Sequence, residues 1–337
     1  MKQIKFLAIC AVLFTVCLSS CTNDEIPVAQ TTTFRINPST VVQPFTYEIK
    51  SGELESIPSG YELRVRLLVY NSEGVLAKSE TQYLTNYASY MSTSMDLDFG
   101  SYTAVVITDC VRRSGDEIDF ALWELSDERS ISTAKITDLG YIGYQAKILG
   151  FGSKKFSVAG SSKDITINPS PAGTLFLIMH RNIHTYSDVE YIELETNRSS
   201  DYLTLNESGK YDVAIKNNAN KFNWRVNNLE PADYPNSTNI YSYVFLFPMN
   251  NVSFRFAIGL ESGEEIDLGE MLFNLTASSQ YYFELDLCNP DADNGITYEG
   301  YLIDDKTQRS SVRDLLTGGM RATPINNDSF RISTLVQ

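Results

Sequence analysis

Histidine is scarce in this sequence, and the common catalytic motifs are missing from it. The chain has two histidines among its 337 residues, His180 and His184. Their spacing would place both on one face of a helix, but His180 ends an apolar, strand-like run, and Arg181 stands where an H-E-x-x-H zinc motif needs glutamate. The sequence also lacks G-x-S-x-G, G-x-x-x-x-G-K-[ST] and G-x-G-x-x-G. It therefore predicts no enzymatic activity, no metal site and no cofactor.

Basic residues are fewer than acidic ones in this sequence, and cysteines are few. The chain has 27 Lys and Arg against 42 Asp and Glu, which gives a formal net charge of −15. Such an acidic surface argues against nucleic-acid binding and against electrostatic docking on anionic lipid. Of the five cysteines, Cys10, Cys17 and Cys21 lie near the N-terminus, which leaves Cys110 and Cys288 for the folded part. We expect two buried free thiols, and a disulfide between them is the alternative.

Two acidic runs are weak candidates for a site. Asp116-Glu117-Ile118-Asp119 has carboxylates of the kind that glycosidases use in pairs, but so many acids are present that any second partner would be an arbitrary choice. Residues 291–295 resemble half of a calcium loop, yet Ile296 and Leu302 occupy the positions where an EF-hand needs Gly and Glu. A tight turn explains residues 291–295 better than calcium does.

A short apolar segment at the N-terminus ends at Cys21. Lys2 and Lys5 precede about a dozen mostly apolar residues, which is the length of a secretory segment and too short for ~30 Å of hydrocarbon. The run Leu18-Ser19-Ser20-Cys21 looks like a bacterial lipobox, in which the cysteine is acylated, for example with palmitate, and becomes the mature N-terminus. An ordinary signal peptide is the alternative. The sequence predicts a lipoprotein signal peptide at 1–20 and a lipid anchor on Cys21.

The residues after Cys21 form a polar tether, predicted over 21–32. Asp24 and Glu25 resemble the export signal of Bacteroidetes surface lipoproteins, which favours the outer face of the cell outer membrane. No second stretch of about 20 apolar residues is present, so the lipid would be the membrane anchor.

The body of the chain reads as β-structure almost throughout. Tyr and Phe number 20 and 17, and short runs rich in aromatic and β-branched residues alternate with turn signals. Residues 63–80 predict a hairpin around Asn71-Ser72-Glu73-Gly74, and residues 99–108 predict a buried strand. Single helical turns are expected at 269–275 and 310–316.

A seam near Pro169 and Pro171 divides the predicted strands, because proline cannot donate to a strand ladder. The expected fold is all-β: two tandem β-sandwich domains at 33–160 and 161–303, with few short helices. Residues 304–337 are expected to be a tail or a donor or edge strand.

Several loose motifs resemble the Bacteroidales fimbrillin-like lipoproteins of the FimB/Mfa type, which include fimbrial subunits and anchors. The motifs are the lipobox, the hairpin at 63–74, the strand at 100–106, the run Asp164–Ile167 with Gly173–Leu175, and the run Leu275–Leu285. The resemblance implies transthyretin-like β-sandwiches and assembly into a fimbrium by β-strand exchange with other subunits. In that family a protease removes an N-terminal strand, and Arg35 is the one basic candidate for processing near the mature N-terminus. Its context, Thr33-Phe34-Arg35-Ile36, also reads as a plain strand position, which is the alternative.

The sequence thus predicts a structural cell-surface lipoprotein that acts in fimbrial assembly and cell adhesion, as a subunit or as an anchor. The alternative is a surface glycan-binding lipoprotein of a polysaccharide-uptake system. It would use Trp123 and Trp224, or tyrosine pairs at 241/243 and 281/282, as sugar-stacking platforms. Because side chains alternate along strands, packing roles are favoured for these aromatic residues.

Overall fold

A computed structural model describes most of the chain, and within it the protein is all-β. The described residues are 29–42, 57–140, 147–181, 189–217, 220–225, 239–288, 297–303, 309–311 and 321–322. A four-residue 3₁₀ helix at Pro38–Val41 is the one helical element in these ranges. None of their helices is long and apolar enough to span a bilayer.

The strands are short and follow one another closely. Those of the first half are β1 (Ala29–Ile36), β2 (Glu62–Asn71), β3 (Leu76–Leu84), β4 (Met91–Asp98), β5 (Gly100–Ser114), β6 (Glu117–Ala121), β7 (Trp123–Ser126), β8 (Lys135–Asp138), β9 (Gly150–Val158), β10 (Lys163–Ile167) and β11 (Ser170–Pro171). Those of the second half are β12 (Thr174–Arg181), β13 (Val189–Thr196), β14 (Ser199–Leu205), β15 (Tyr211–Lys216), β16 (Asn220–Arg225), β17 (Asn239–Leu246), β18 (Met249–Leu260), β19 (Glu265–Leu275), β20 (Ser279–Cys288), β21 (Thr297–Ile303), β22 (Arg309–Ser311) and β23 (Arg321–Ala322).

The predicted hairpin at 63–80 is confirmed as β2 and β3. Asn71 Oδ1 accepts hydrogen bonds from the backbone N–H groups of Glu73 (3.0 Å) and Val75 (2.9 Å). Gly74 has a φ of +75°, which glycine adopts without the steric cost that a side chain would add. The turn residues therefore fix the register of the pair from Leu63↔Leu84 to Tyr70↔Leu76.

Two sheets pack face to face in the first half. One has the order β10-β1-β4, and the other has the order β11-β9-β5-β2-β3 with β6 added to β5. The ring of Phe34 in β1 meets that of Phe156 in β9 edge-on at 5.6 Å. Gly152 of β9 allows the two sheets to approach closely, because a Cβ at this position would lie 3.0 Å from the side chain of Ile167 in β10.

The other face of the larger sheet is covered as well, which explains why almost all of β2 is buried. A four-stranded sheet of order β15-β14-β8-β7 lies on it, and Phe151 of β9 contacts Tyr211 of β15 with ring centroids 5.0 Å apart. This covering layer joins strands from both halves of the chain. Trp123 of β7 extends it, packing on Phe245 and Phe247 at 6.1 and 5.2 Å.

A second pair of sheets lies further along the chain, with orders β17-β12-β20-β21-β22 and β16-β13-β18-β19-β23. Its core is aromatic. Phe176 stacks on Tyr281 at 5.0 Å and meets Phe254 of the facing sheet at 4.6 Å. Phe256 and Phe283 also face each other at 5.8 Å.

The structure bears on three expectations about boundaries and elements. Residues 29–32, expected in the tether of 21–32, belong to β1: all four pair with β4, and Thr32 also pairs with Lys163 of β10. β10 follows the boundary expected at 160/161 and pairs in parallel with β1 of the first sheet, and the division into two domains stays a prediction. Residues 269–275 and 310–311 are strand rather than helical turn, because they pair in β19 and β22.

Candidate assembly site at the N-terminal strand

β1 is the middle strand of its three-stranded sheet. It pairs antiparallel with β4 from Ala29↔Asp98 to Ile36↔Met91, and parallel with β10 from Thr32↔Lys163 to Ile36↔Ile167. Its side chains alternate strictly between the two faces of the sheet, as the pleat of a strand requires. The strand is therefore held on both edges and on one face.

The inward face of β1 is buried. Thr32 is 1% exposed, and Phe34 and Ile36 are 0% exposed. Removing a Phe and an Ile side chain from water stabilises the seated strand by about 1.5–3 kcal/mol each. The cross-strand partners of Ile36, Met91 on β4 and Ile167 on β10, are buried as well. If β1 left, the space filled by Phe34 and Ile36 would be an apolar groove.

The outward face of β1 is polar and weakly paired. Thr31 Oγ1 donates to Asp96 at 2.7 Å, and the hydroxyls of Thr33 and Ser94 lie 3.0 Å apart. Arg35 lies 3.9 Å from Asp164, and its side chain is 62% exposed. An exposed ion pair of this kind contributes about 0–1 kcal/mol. The inward residues thus hold β1 in place much more firmly than the outward ones.

The chain is fixed again immediately after β1. The side chain of Asn37 caps the 3₁₀ helix by accepting from the N–H and hydroxyl of Ser39, at 3.3 and 2.8 Å. Thr40 donates to the carbonyl of Pro169, and Val41 is 1% exposed. A cut after Arg35 would therefore separate residues 29–35 of β1 from Ile36 and from a segment that is held by its own contacts.

The predicted processing residue, Arg35, is accessible through its side chain but not through its peptide bond. Its backbone is paired on both sides, with Ser92 of β4 and Thr166 of β10. A protease that binds its substrate as an extended chain needs these pairs to open first. Cleavage after Arg35 therefore requires local release of β1 first.

The remaining predicted site residues are dispersed. Cys21, Asp24 and Glu25 lie outside the described residues, as do His184 and the run at 291–295. His180 and Trp224 lie in β12 and β16, whose side chains at these positions are not described. The described part of the chain holds no cluster of three or more His, Cys, Asp and Glu that could bind a metal ion.

Trp123 is not a sugar-stacking platform. It is 1% exposed, and its indole N–H donates to the Lys147 carbonyl at 3.0 Å. The acids at 116–119 form no cleft either, because Asp116 and Asp119 are solvated partners of Arg113 and Arg112. These positions do not support the glycan-platform and glycosidase interpretations.

Cys110 is a buried free thiol, as predicted. It lies 3.4 Å from the hydroxyl of Tyr87. Burial raises the pKa of the Cys110 thiol to about 12, since the thiolate would lose its hydration. The thiol is therefore unreactive in the folded state. The side chain of Cys288 lies outside the described residues.

A buried ion cluster was missed by the sequence reasoning. Arg64 donates to both carboxylate oxygens of Asp109, at 2.9 and 2.6 Å, and to the Trp123 carbonyl at 3.2 Å. Arg66 lies 3.7 Å from the same carboxylate. Burial lowers the pKa of Arg66 to about 10, against the attraction of Asp109. Apolar and charged residues alternate along Leu63–Arg66, as in a strand with one solvated face. The four-stranded sheet that covers this face buries Arg64 and Arg66.

Comparisons with known proteins give similarity at the level of fold. No family model matches the sequence, and no curated protein matches it. A candidate adhesin from Bacteroides ovatus has a TM-score of 0.48 at 11% identity, covering 86% of this chain and 97% of its own. The fimbrial anchor protein Mfa2 from Porphyromonas gingivalis has a TM-score of 0.45 at 8% identity, covering 83% and 99%.

A fimbrial assembly protein from Parabacteroides distasonis has a TM-score of 0.41 at 9% identity, covering 84% of this chain and 99% of its own. The structural neighbours named here are thus a candidate adhesin, a fimbrial anchor protein and a fimbrial assembly protein, each with a TM-score below 0.5 and at most 11% sequence identity.

Proposed function

We propose that this protein is a structural lipoprotein of the cell outer membrane that acts as a fimbrial subunit or fimbrial anchor through β-strand exchange. The observation that carries the proposal is the position of β1. It is the first described strand after the predicted lipid attachment site, and it fills a groove between β4 and β10. The protein is proposed to need no cofactor, metal or catalytic residue for this role.

The position of β1 in the chain suits exchange. It follows the predicted mature N-terminus closely, so it can leave its groove without threading any other segment. Its departure would uncover backbone N–H and C=O groups on two neighbouring strands together with the pockets of Phe34 and Ile36. A partner strand with apolar residues at alternate positions would refill both.

The distance from Cys21 to β1 links the strand to the membrane. Ala29 lies eight positions after Cys21, so a fully extended tether spans at most about 26–29 Å. A chain that keeps β1 is held near the membrane by its lipid, as an anchor would be. A cut after Arg35 would remove the lipid together with residues 29–35 of β1 and leave Ile36 as the new N-terminus, as proposed for a polymerising subunit.

A disulfide lock tests whether β1 must leave. Thr33 and Ser94 are direct cross-strand partners in β1 and β4, so cysteines there can form a bond. The matched control is a Ser101→Cys, Ser157→Cys pair across β5 and β9. Both variants would be expressed in the native host and oxidised, and polymer ladders would be compared on non-reducing gels.

For a subunit, we expect the lock between β1 and β4 to abolish the ladder and the control lock to leave it intact. For an anchor, the ladder should persist in both variants while the chain stays membrane-bound at the fimbrial base. A protein absent from fimbrial fractions in every variant would contradict both roles.

A further inference from the structure

The predicted tether leaves the fold at one end of the first two sheets, and two chain turns lie at the same end. Ala29, the first residue of β1, pairs with Asp98, the last residue of β4, so the β4–β5 turn at Phe99 is next to it. Asn71, the last residue of β2, pairs with Tyr102 near the start of β5. The β2–β3 turn therefore lies at this end as well, which we call the tether end.

Each of these two turns carries an exposed apolar side chain. Phe99 is 40% exposed in the β4–β5 turn, and Val75 is 48% exposed in the β2–β3 turn. Single apolar residues are common on protein surfaces, so exposure alone does not indicate a partner. What distinguishes Phe99 and Val75 is that the tether emerges beside them.

The length of the tether decides which end of the fold is near the membrane. Opposed Cα atoms of an antiparallel pair lie about 4.5–5.5 Å apart, so the Cα of Phe99 is within roughly 9 Å of that of Ala29. Tyr90, at the other end of β4, lies about 30 Å from Phe99. Since the tether spans at most about 26–29 Å, the far end could reach the membrane surface only with the tether stretched.

The charges beside the two turns fit a zwitterionic lipid surface. Glu73 lies in the β2–β3 turn and Asp98 ends β4, whereas Lys163 begins β10 and pairs with Thr32 of β1. With charges of both signs beside the turns, a layer of zwitterionic headgroups is neither strongly attracted nor strongly repelled. The apolar side chains therefore decide the contact.

We propose that the tether end rests on the membrane, with Phe99 and Val75 inserted among the lipid headgroups. This contact depends on the proposed acylation of Cys21. Two partly exposed side chains would bind a membrane weakly by themselves, but the lipid holds them at a high effective concentration beside it. Insertion then needs no further anchor.

A membrane-facing tether end also places the proposed cleavage site. Arg35 lies six residues after Ala29, about 20 Å further along β1 and away from the membrane. The bond after Arg35 is thus held clear of the headgroups, where a protease outside the cell can reach it once β1 opens.

The test uses the full-length acylated protein in phosphatidylcholine vesicles whose acyl chains carry bromine, which quenches tryptophan fluorescence on contact. Phe99→Trp and Val75→Trp place a reporter in each turn. Tyr90→Trp is the matched control, because Tyr90 is 65% exposed and lies at the opposite end of β4. The unsubstituted protein gives the baseline from Trp123 and Trp224. All three positions are exposed, so the substitutions should leave the melting temperature unchanged.

We expect bromine to quench the reporters at 99 and 75 beyond the baseline and to leave the reporter at 90 at the baseline. A protein that floats with the vesicles but shows no extra quenching at 99 and 75 would overturn the membrane-facing end and leave the lipid anchor standing. Equal extra quenching at all three positions would also overturn it, since the molecule would then contact the membrane without a preferred end. A protein that does not float with the vesicles would contradict the lipid anchor, and the membrane-facing end with it.

Discussion

Phe34 holds β1 in its sheet, and replacing it with alanine should expose the bond after Arg35. The side chain is 0% exposed and packs edge-on against Phe156 at 5.6 Å. Truncating a buried Phe to Ala costs about 3–5 kcal/mol. If β1 opens locally, the substitution destabilises the closed form and leaves the open form unaffected. Each 1.4 kcal/mol then raises the population of the open form about tenfold. Cleavage after Arg35 should therefore rise by roughly 10²–10³-fold.

The assay is limited trypsin digestion of the purified protein, with mass spectrometry of the fragment that begins at Ile36. Phe176→Ala is the matched control, because Phe176 is equally buried but lies in the second pair of sheets. It should destabilise the protein by a similar amount without accelerating cleavage after Arg35. Equal acceleration in both variants, or none in Phe34→Ala, would refute local release of β1.

Two further predictions concern buried groups. Asp109→Asn should lower the free energy of unfolding by about 3–5 kcal/mol in urea denaturation, because it leaves the buried guanidinium of Arg64 without its carboxylate. Asp119→Asn, which breaks an exposed pair, should change it by less than about 0.5 kcal/mol, and similar losses in the two variants would contradict the buried-pair account. Above pH 9 the unfolded Cys110 thiol ionises, whereas the folded thiol keeps its proton until about pH 12. Stability should therefore fall by up to about 1.4 kcal/mol per pH unit over this window, and Cys110→Ala should remove that part of the slope. An unchanged slope in Cys110→Ala would show that the thiol titrates normally.

Local patterns in the sequence were sufficient to predict much of the fold. The hairpin of β2 and β3 follows from alternation on either side of Asn71 and Gly74, and both strands lie where they were expected. Residues 99–108 were likewise predicted as a strand, and residues 100–108 lie in β5. These elements depend on contacts between neighbours in sequence, which turn residues and side-chain periodicity encode directly.

Pairings between distant segments were not predicted. Residues 29–32 are polar and read as tether, yet they form a strand because β4 and β10 flank β1. The parallel pairing of β1 with β10 joins segments more than a hundred residues apart, and no local sequence pattern predicts it. For the same reason the burial of Arg64 and Arg66 was not predicted. The sheet that buries them comes from β7, β8, β14 and β15.

The candidate site was predicted in part. The sequence identified Arg35 as a strand position, and it lies within β1. It did not show that β1 pairs with a strand on each edge. Both sets of pairs must open before β1 is released. The acylation of Cys21 and the export role of Asp24 and Glu25 stay predictions, since these residues lie outside the described ranges.

The most direct test is the N-terminal peptide of the mature protein, recovered from outer-membrane and fimbrial fractions and measured by mass spectrometry. Our account predicts an acylated Cys21 in the membrane fraction. For a polymerising subunit, it also predicts an N-terminus at Ile36 in the fimbrial fraction. An unmodified Cys21 in the membrane fraction would contradict the lipid anchor. A fimbrial N-terminus between residues 22 and 35 would leave some or all of the β1 residues before Ile36 on the chain and contradict cleavage after Arg35.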